Sequence, residues 1–201
     1  MIPLFKVTMS PQVNDELEKV LHSGFIGQGV KVREFEELLN KTFGWENTLA
    51  VNSGTSALQL ALHLVKSYDG ESVLLPPLSC FASTSAVIAN NMVPRWVDID
   101  PKTLLMNLTH LESKLDKDTR IILIVHFAGR TPDYNRLNSI LDKHQLKFGF
   151  RPIVIEDCAQ SLGSITNIHE FGGSVGLSGN ICCFSFQAVK TLTTGDGGAI
   201  V

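Results

Sequence analysis

Apolar and polar positions fall into two kinds of segment along this chain. Four short runs, Ser72 to Leu75, Arg120 to Phe127, Pro152 to Glu156 and Asn180 to Phe186, are apolar nearly throughout. They lack the every-second-residue alternation of a strand with one wet face, so they predict strands covered on both faces. Thr48 to Asn52, Pro94 to Ile99 and Gly198 to Val201 read as further strands. Between them, apolar residues recur at helical spacing. This predicts helices over Pro11–His22, Val30–Phe43, Ser56–Ser67, Ala82–Asn90, Leu108–Leu115 and Pro132–Leu146. Ser10 is a candidate N-cap, with Pro11 at the first helical position. In the second helix, Val32, Phe35, Leu38 and Leu39 share an apolar face, opposite a solvated face bearing Glu34, Glu36 and Glu37. Helices alternating with doubly covered strands make an α/β domain with a mainly parallel sheet and right-handed crossovers.

Ligands of such sheets bind beyond the carboxyl ends of the strands. Polar residues gather there: Asn52 to Ser56, Ser79 to Phe81, Asp157 to Gln160, and Ser185 to Lys190. Lys190 follows an apolar strand and sits among hydroxyls and glycines, a poor position for a solubilising charge and a good one for a reactive amine. Asp157 ends another apolar strand. Together they suggest an enzyme that forms an imine with pyridoxal 5′-phosphate (PLP). A carboxylate at about 3 Å from a ring nitrogen, at an effective dielectric near 20, attracts its proton by roughly 5 kcal/mol. That is about four pKa units at most before desolvation, enough to keep a pyridine protonated. Partial burial of Lys190 would favour its neutral, nucleophilic form. Each residue also has a plainer reading: a surface lysine, and an aspartate capping a helix.

The segment Asn52-Ser53-Gly54-Thr55-Ser56 lies between a strand and a helix, where free N–H groups and the hydroxyls of Thr55 and Ser56 form an anion cradle or an ordinary cap. Ser185 offers a further hydroxyl to a phosphate. Phe81 is a candidate stacking ring or a core side chain. Gln160, one turn after Asp157, is a candidate donor to the cofactor's phenolic oxygen or a solvated residue. His126 ends an apolar strand and reads equally as a rim residue or a hydrogen-bonded core histidine. No GxGxxG or GxxxxGK[ST] pattern competes for a nucleotide phosphate.

Composition narrows the field. At 201 residues and 44% hydrophobic, the chain can bury a sizeable core. A net charge of -3 without a basic block does not point to nucleic acid or anionic membrane. No apolar run reaches the roughly 20 residues of a membrane span, and the N-terminus lacks the pattern of a signal peptide. Cys80, Cys158, Cys182 and Cys183 lie in or beside apolar runs without CxxC spacing, which predicts buried, reduced thiols in a cytoplasmic protein and no metal site.

Taken together, these segments resemble the sugar aminotransferase family called DegT/DnrJ/EryC1/StrS. The matching stretches are Ser23 to Gly29 with Phe35-Glu36, Asn52 to Leu58, Pro77 to Thr84, Val97 to Asp100, Val125 to Gly129, Glu156 to Gln160 and Cys183 to Gly198. The resemblance implies the large domain of a fold type I PLP-dependent transferase, three layers α/β/α around a mixed, mostly parallel sheet. It implies transfer of an amino group, usually from glutamate, to a nucleotide-linked keto sugar, in a homodimer. Carried over, Lys190 is the Schiff-base lysine, Asp157 the pyridinium partner and Phe81 the stacking ring. Gln160 contacts the ring oxygen, and Thr55, Ser56 and Ser185 hold the phosphate. A dehydratase branch of the family has histidine in place of the lysine, and Lys190 argues against it. Few residues follow Lys190, whereas family members continue into a large-domain remainder and a small C-terminal domain. The chain therefore reads as an incomplete PLP-binding domain over 1–201, with apolar surface exposed for the missing part. The alternatives are a catalytically silent fragment or binding protein of this fold, and a related PLP-dependent dehydratase or lyase.

Overall fold

The computed structural model describes residues 2–3, 5–166 and 173–201. A seven-stranded sheet runs through the domain: β1 (Leu49–Val51), β2 (Ser72–Leu75), β3 (Val93–Trp96), β4 (Ile121–Val125), β5 (Ile153–Asp157), β6 (Ile181–Ser185) and β7 (Gly198–Ile200). Its order is β1-β7-β6-β5-β4-β2-β3. The pairs β2–β3, β2–β4, β4–β5 and β5–β6 are parallel, and β7 runs antiparallel to both β6 and β1. The sheet is thus mixed and mostly parallel, as expected.

The helices are α1 (Val13–His22), α2 (Val30–Phe43), α3 (Gly54–Val65), α4 (Phe81–Ala89), α5 (Leu108–Lys114) and α6 (Tyr134–Phe148). Alternate strand residues feed opposite layers. Leu75, Leu123, Val125, Ile155 and Cys183 pack with Ala57, Leu58, Ala61 and Leu62 of α3 and Ala86 and Val87 of α4. On the other face, Leu74, Ile122, Ile124 and Val154 meet Leu108 and Leu111 of α5 and Leu137, Ile140 and Leu141 of α6. Cys182, Phe184 and Phe186 extend that face toward Leu39 of α2 and Trp45. All five residues of β4 are buried, which is why this strand shows no alternation in sequence.

Several local expectations need correction. α1 starts at Val13; Ser10 and Pro11 precede it in a turn where the Gln12 N–H donates to Ser10 Oγ at 3.3 Å. Leu38 does not join the apolar face of α2 and is 60% exposed, because Leu39 takes the core position one residue on. Glu36 is not merely solvated: its Oε1 accepts the Ala50 N–H at 2.8 Å. It thereby satisfies a backbone donor of the edge strand β1. β4 stops at Val125, and Phe127–Gly129 form a 3-10 turn with Ala128 in the left-handed region (φ 54). Cys80 is exposed, whereas Cys158, Cys182 and Cys183 are buried, and all four are free. α1 buries no residue, and Leu17, Leu21, Phe25 and Ile26 are all exposed. No helix among the described residues is long and apolar enough to cross a membrane.

Candidate active site

The carboxyl ends of β4, β5 and β6 point the same way because the three strands are parallel. β7 runs back from that edge, starting with Gly198 opposite Ser185. The residues singled out for chemistry in the sequence lie at strand ends, at helix starts, in the turn after β5 or on the loop joining β6 to β7.

Asp157 closes β5 and is buried. Its Oδ2 accepts the Ser83 hydroxyl of α4 at 2.6 Å, and its Oδ1 accepts the Ala159 N–H at 3.1 Å. It is not the cap of a helix, since a turn follows it. Each oxygen keeps a free lone pair for one further donor. Phe81, two residues before Ser83, is the first residue of α4 and is 73% exposed, so it is not a core side chain. Gln160 is exposed, and its amide oxygen accepts the Ala128 N–H at 2.7 Å. Among the described residues its NH2 group has no acceptor.

The start of α3 is built as an anion cradle. Ser53 caps it, accepting the Ser56 N–H at 3.1 Å and lying 3.0 Å from the Ser56 hydroxyl. The Ala57 N–H goes to the Ser53 carbonyl, so the first-turn donors still free belong to Gly54 and Thr55. Thr55, Ser56 and Ser185 are half-buried. Two close backbone approaches seat this turn. A Cβ on Gly54 would lie 2.7 Å from Ser185 Cβ, and one on Gly198 would lie 2.5 Å from the Ser53 carbonyl. Only glycine permits either contact.

Lys190 lies on the β6–β7 loop and is half-buried, its N–H donating to the Gln187 carbonyl at 2.9 Å. Among the described residues its ammonium makes no hydrogen bond or ion pair, and none joins it to Asp157. The edge therefore carries a lysine unpaired among the described residues, a buried carboxylate, an exposed aromatic ring and a helix start lined with hydroxyls. This set fits a flat group with a phosphate at one end, a basic ring nitrogen at the other and a carbonyl between.

Behind the edge lies a buried polar cluster. Glu156 is fully buried on the α6 side of β5. Its Oε2 accepts Tyr134 Oη at 2.7 Å and lies 3.1 Å from His126 Nε2; its Oε1 accepts Ser178 Oγ and Asn180 Nδ2, both at 2.7 Å. Burial pushes this carboxyl up, but the His126 hydrogen bond and charge, with Asn180 and Ser178, outweigh it and hold the pKa at about 2. Burial, then the Glu156 charge, pushes the Tyr134 hydroxyl well above its usual range. His126 is thus a hydrogen-bonded core histidine. His126, Glu156 and Cys158 lie close enough to suggest a metal site. However, Glu156 and Cys158 face opposite nitrogens of the same imidazole, so one ion cannot use all three.

The sequence reading missed Ser83, which looked like an ordinary helical serine. It also missed the roles of Gly54 and Gly198. A glycine at a helix start and another opening a strand are places where propensity alone prefers other residues, and that was the available signal.

The profile of the DegT/DnrJ/EryC1/StrS aminotransferase family matches residues 8–201. GDP-perosamine synthase of Vibrio cholerae is 28% identical over 202 residues, covering 100% of this chain and 52% of the relative. The sugar aminotransferase CalS13 of Micromonospora echinospora superposes with a TM-score of 0.93 at 40% identity, over 100% of this chain and 54% of that one. The PLP form of Spr1654 from Streptococcus pneumoniae superposes with a TM-score of 0.90 at 30% identity, covering 100% and 52%. The chain spans about half the length of these proteins. A match of this extent, with a fold this close, means that the chain belongs to the DegT/DnrJ/EryC1/StrS aminotransferase family.

Proposed function

We propose that this chain carries the cofactor site of a PLP-dependent aminotransferase that moves an amino group from glutamate to a nucleotide-linked keto sugar, for polysaccharide or secondary-metabolite sugar synthesis. The observation that carries the reading is the gathering of Lys190, Asp157 and the α3 cradle at one sheet edge. When bound, PLP supplies a carbonyl carbon that bonds amines and a ring that draws electrons from that carbon. Lys190 Nζ is the nucleophile toward the carbonyl and, as a free amine, holds and moves the substrate proton. Asp157 keeps a proton on the ring nitrogen, with Ser83 and the Ala159 N–H fixing its two oxygens. Thr55, Ser56 and Ser185 bind the phosphate, with the positive end of α3 behind them. Phe81 covers one ring face, and the NH2 of Gln160 donates to the phenolic oxygen. The same reading makes the working protein a cytoplasmic homodimer, in keeping with its family. The nucleotide-linked substrate rests on the relative named GDP-perosamine synthase.

Adding PLP should produce the near-visible absorbance band of a lysine-anchored cofactor, and Lys190→Ala should abolish it. Glutamate with a nucleotide keto sugar should then yield an amino sugar by mass spectrometry. A Lys190→Ala protein with an unaltered spectrum would overturn the anchor assignment, and a dehydrated sugar product would overturn the reaction class.

A further inference from the structure

The imidazole of His126 touches the chain on both sides of the segment 157–160. Its Nε2 lies 3.1 Å from Glu156 Oε2, one residue before Asp157. Its Nδ1 lies 3.2 Å from Ser161 Oγ, one residue after Gln160. One fully buried ring thus brackets the turn that bears Asp157 and Gln160. Its backbone reinforces the bracket, since the His126 N–H donates to the Asp157 carbonyl at 3.0 Å. Two residues later, the Ala128 N–H meets Gln160 Oε1. Ala128 adopts φ 54, a conformation that costs a non-glycine residue energy and persists only where its surroundings enforce it.

The ring is itself held from the α6 side. Glu156 takes four donors at once, and Tyr134 Oη sits 3.5 Å from His126 Nε2. His126, Glu156 and Tyr134 are all buried, too deep to meet a substrate directly. The cluster is also more than packing, because a buried carboxylate is expensive unless fully partnered. Through His126 the cluster reaches Cys158 and Ser161, in and beside the turn that bears Asp157 and Gln160.

We propose that His126, held by Glu156 and Tyr134, is a positioning residue that fixes Asp157 and Gln160 for the cofactor. The inference rests on the proposed function for what the two side chains do, but its test reads the bracket itself. Two amides report the side chains directly: Ala159 N–H bonds Asp157 Oδ1 and Ala128 N–H bonds Gln160 Oε1. In protein without cofactor, His126→Gln should speed hydrogen exchange at both amides by about tenfold or more while leaving the buried Leu74 amide of β2 unaltered. The same variant should bind PLP more weakly than the unmodified protein. Exchange at Ala128 and Ala159 within about twofold of the unmodified protein would overturn the proposal. So would an equal acceleration at Leu74, which would mean general destabilisation. Should His126→Gln fail to fold, Tyr134→Phe decides: faster exchange at the same two amides supports the bracket, and no change overturns it. If unmodified protein does not bind PLP, the proposed function falls, while the amides still judge the bracket.

Discussion

Replacing Glu156 with glutamine should cost stability in a way that depends on pH. The carboxylate accepts hydrogen bonds from Tyr134, Ser178 and Asn180 and pairs with His126. An amide of the same shape keeps one accepting oxygen and turns an NH2 toward the remaining donors. Bonds to a charged acceptor contribute about 1.5–3 kcal/mol each, and two are lost, so Glu156→Gln should destabilise the fold by about 3–6 kcal/mol near neutral pH. The proton-linked share follows from the folded pKa of about 2 against an ordinary 4.5. That difference corresponds to about 3 kcal/mol.

The sign is fixed by the direction of the shift. A carboxyl whose folded pKa is depressed contributes its stability above the unfolded pKa and loses it as pH falls through the folded one. The gap between the wild-type protein and Glu156→Gln should therefore be full above about pH 5 and shrink by about 3 kcal/mol toward pH 2. Tyr134 remains a protonated donor throughout, since its hydroxyl is pushed up, not down. Urea unfolding of both proteins at a series of pH values measures the gap directly. A gap that stays constant within about 0.5 kcal/mol over that range would refute the assignment of Glu156 as a buried, ionised acceptor.

Three further outcomes follow from the site. Phe81→Ala should leave stability without cofactor within about 0.5 kcal/mol, because the ring is exposed, yet weaken PLP binding; equal affinity for PLP would remove Phe81 from the site. Gly198→Ala places a Cβ 2.5 Å from the Ser53 backbone, which cannot swing aside, so it should cost about 1–3 kcal/mol and loosen the phosphate cradle. A melting temperature and PLP affinity both unaltered would contradict that geometry. Thiol labelling of the native protein should modify Cys80 alone, since burial shields the other three and raises the Cys158 and Cys183 thiols. In denaturant all four should react, and rapid native labelling of Cys158 would contradict its burial.

The layers and most element positions were legible in the sequence because burial on both faces leaves unbroken apolar runs such as Ile121 to Val125. Element ends were less legible. Phe127 is apolar enough to prolong β4, but the turn that lets Ala128 meet Gln160 ends the strand two residues earlier. Leu38 looked like core because periodicity cannot tell which neighbour of Leu39 faces solvent. The candidate site was legible where a residue type stands out against its surroundings, as Lys190 and Asp157 do at strand ends and loops. It was not legible where function lies in a contact between distant positions. Ser83 and Asp157 are 74 residues apart, and Glu36 and Ala50 are 14. No local pattern announces either pair. His126 and Glu156 were visible as residues but not as partners, because only the β4–β5 register brings their side chains to the same face.

That register also explains why two acids stand side by side at the end of β5. Successive strand residues face opposite layers, so Asp157 turns toward Ser83 of α4 and Glu156 toward Tyr134 of α6. One is left with lone pairs to spare at the sheet edge; the other is saturated by donors inside the core. A slip of one residue in β5 would bring Glu156 to the place of Asp157 and Ile155 to the place of Glu156. It would bury a carboxylate beside Ser83 that is one methylene too long, and leave four donors of the α6 side without their acceptor. Each unsatisfied donor costs about 1–3 kcal/mol, so the slipped register is penalised more heavily than apolar packing alone would manage, since the runs Ile153-Val154-Ile155 and Ile121-Ile122-Leu123 tolerate a shift. The polar cluster behind the site thus selects the one strand register in which Asp157, and not Glu156, faces Ser83 and the proposed cofactor site.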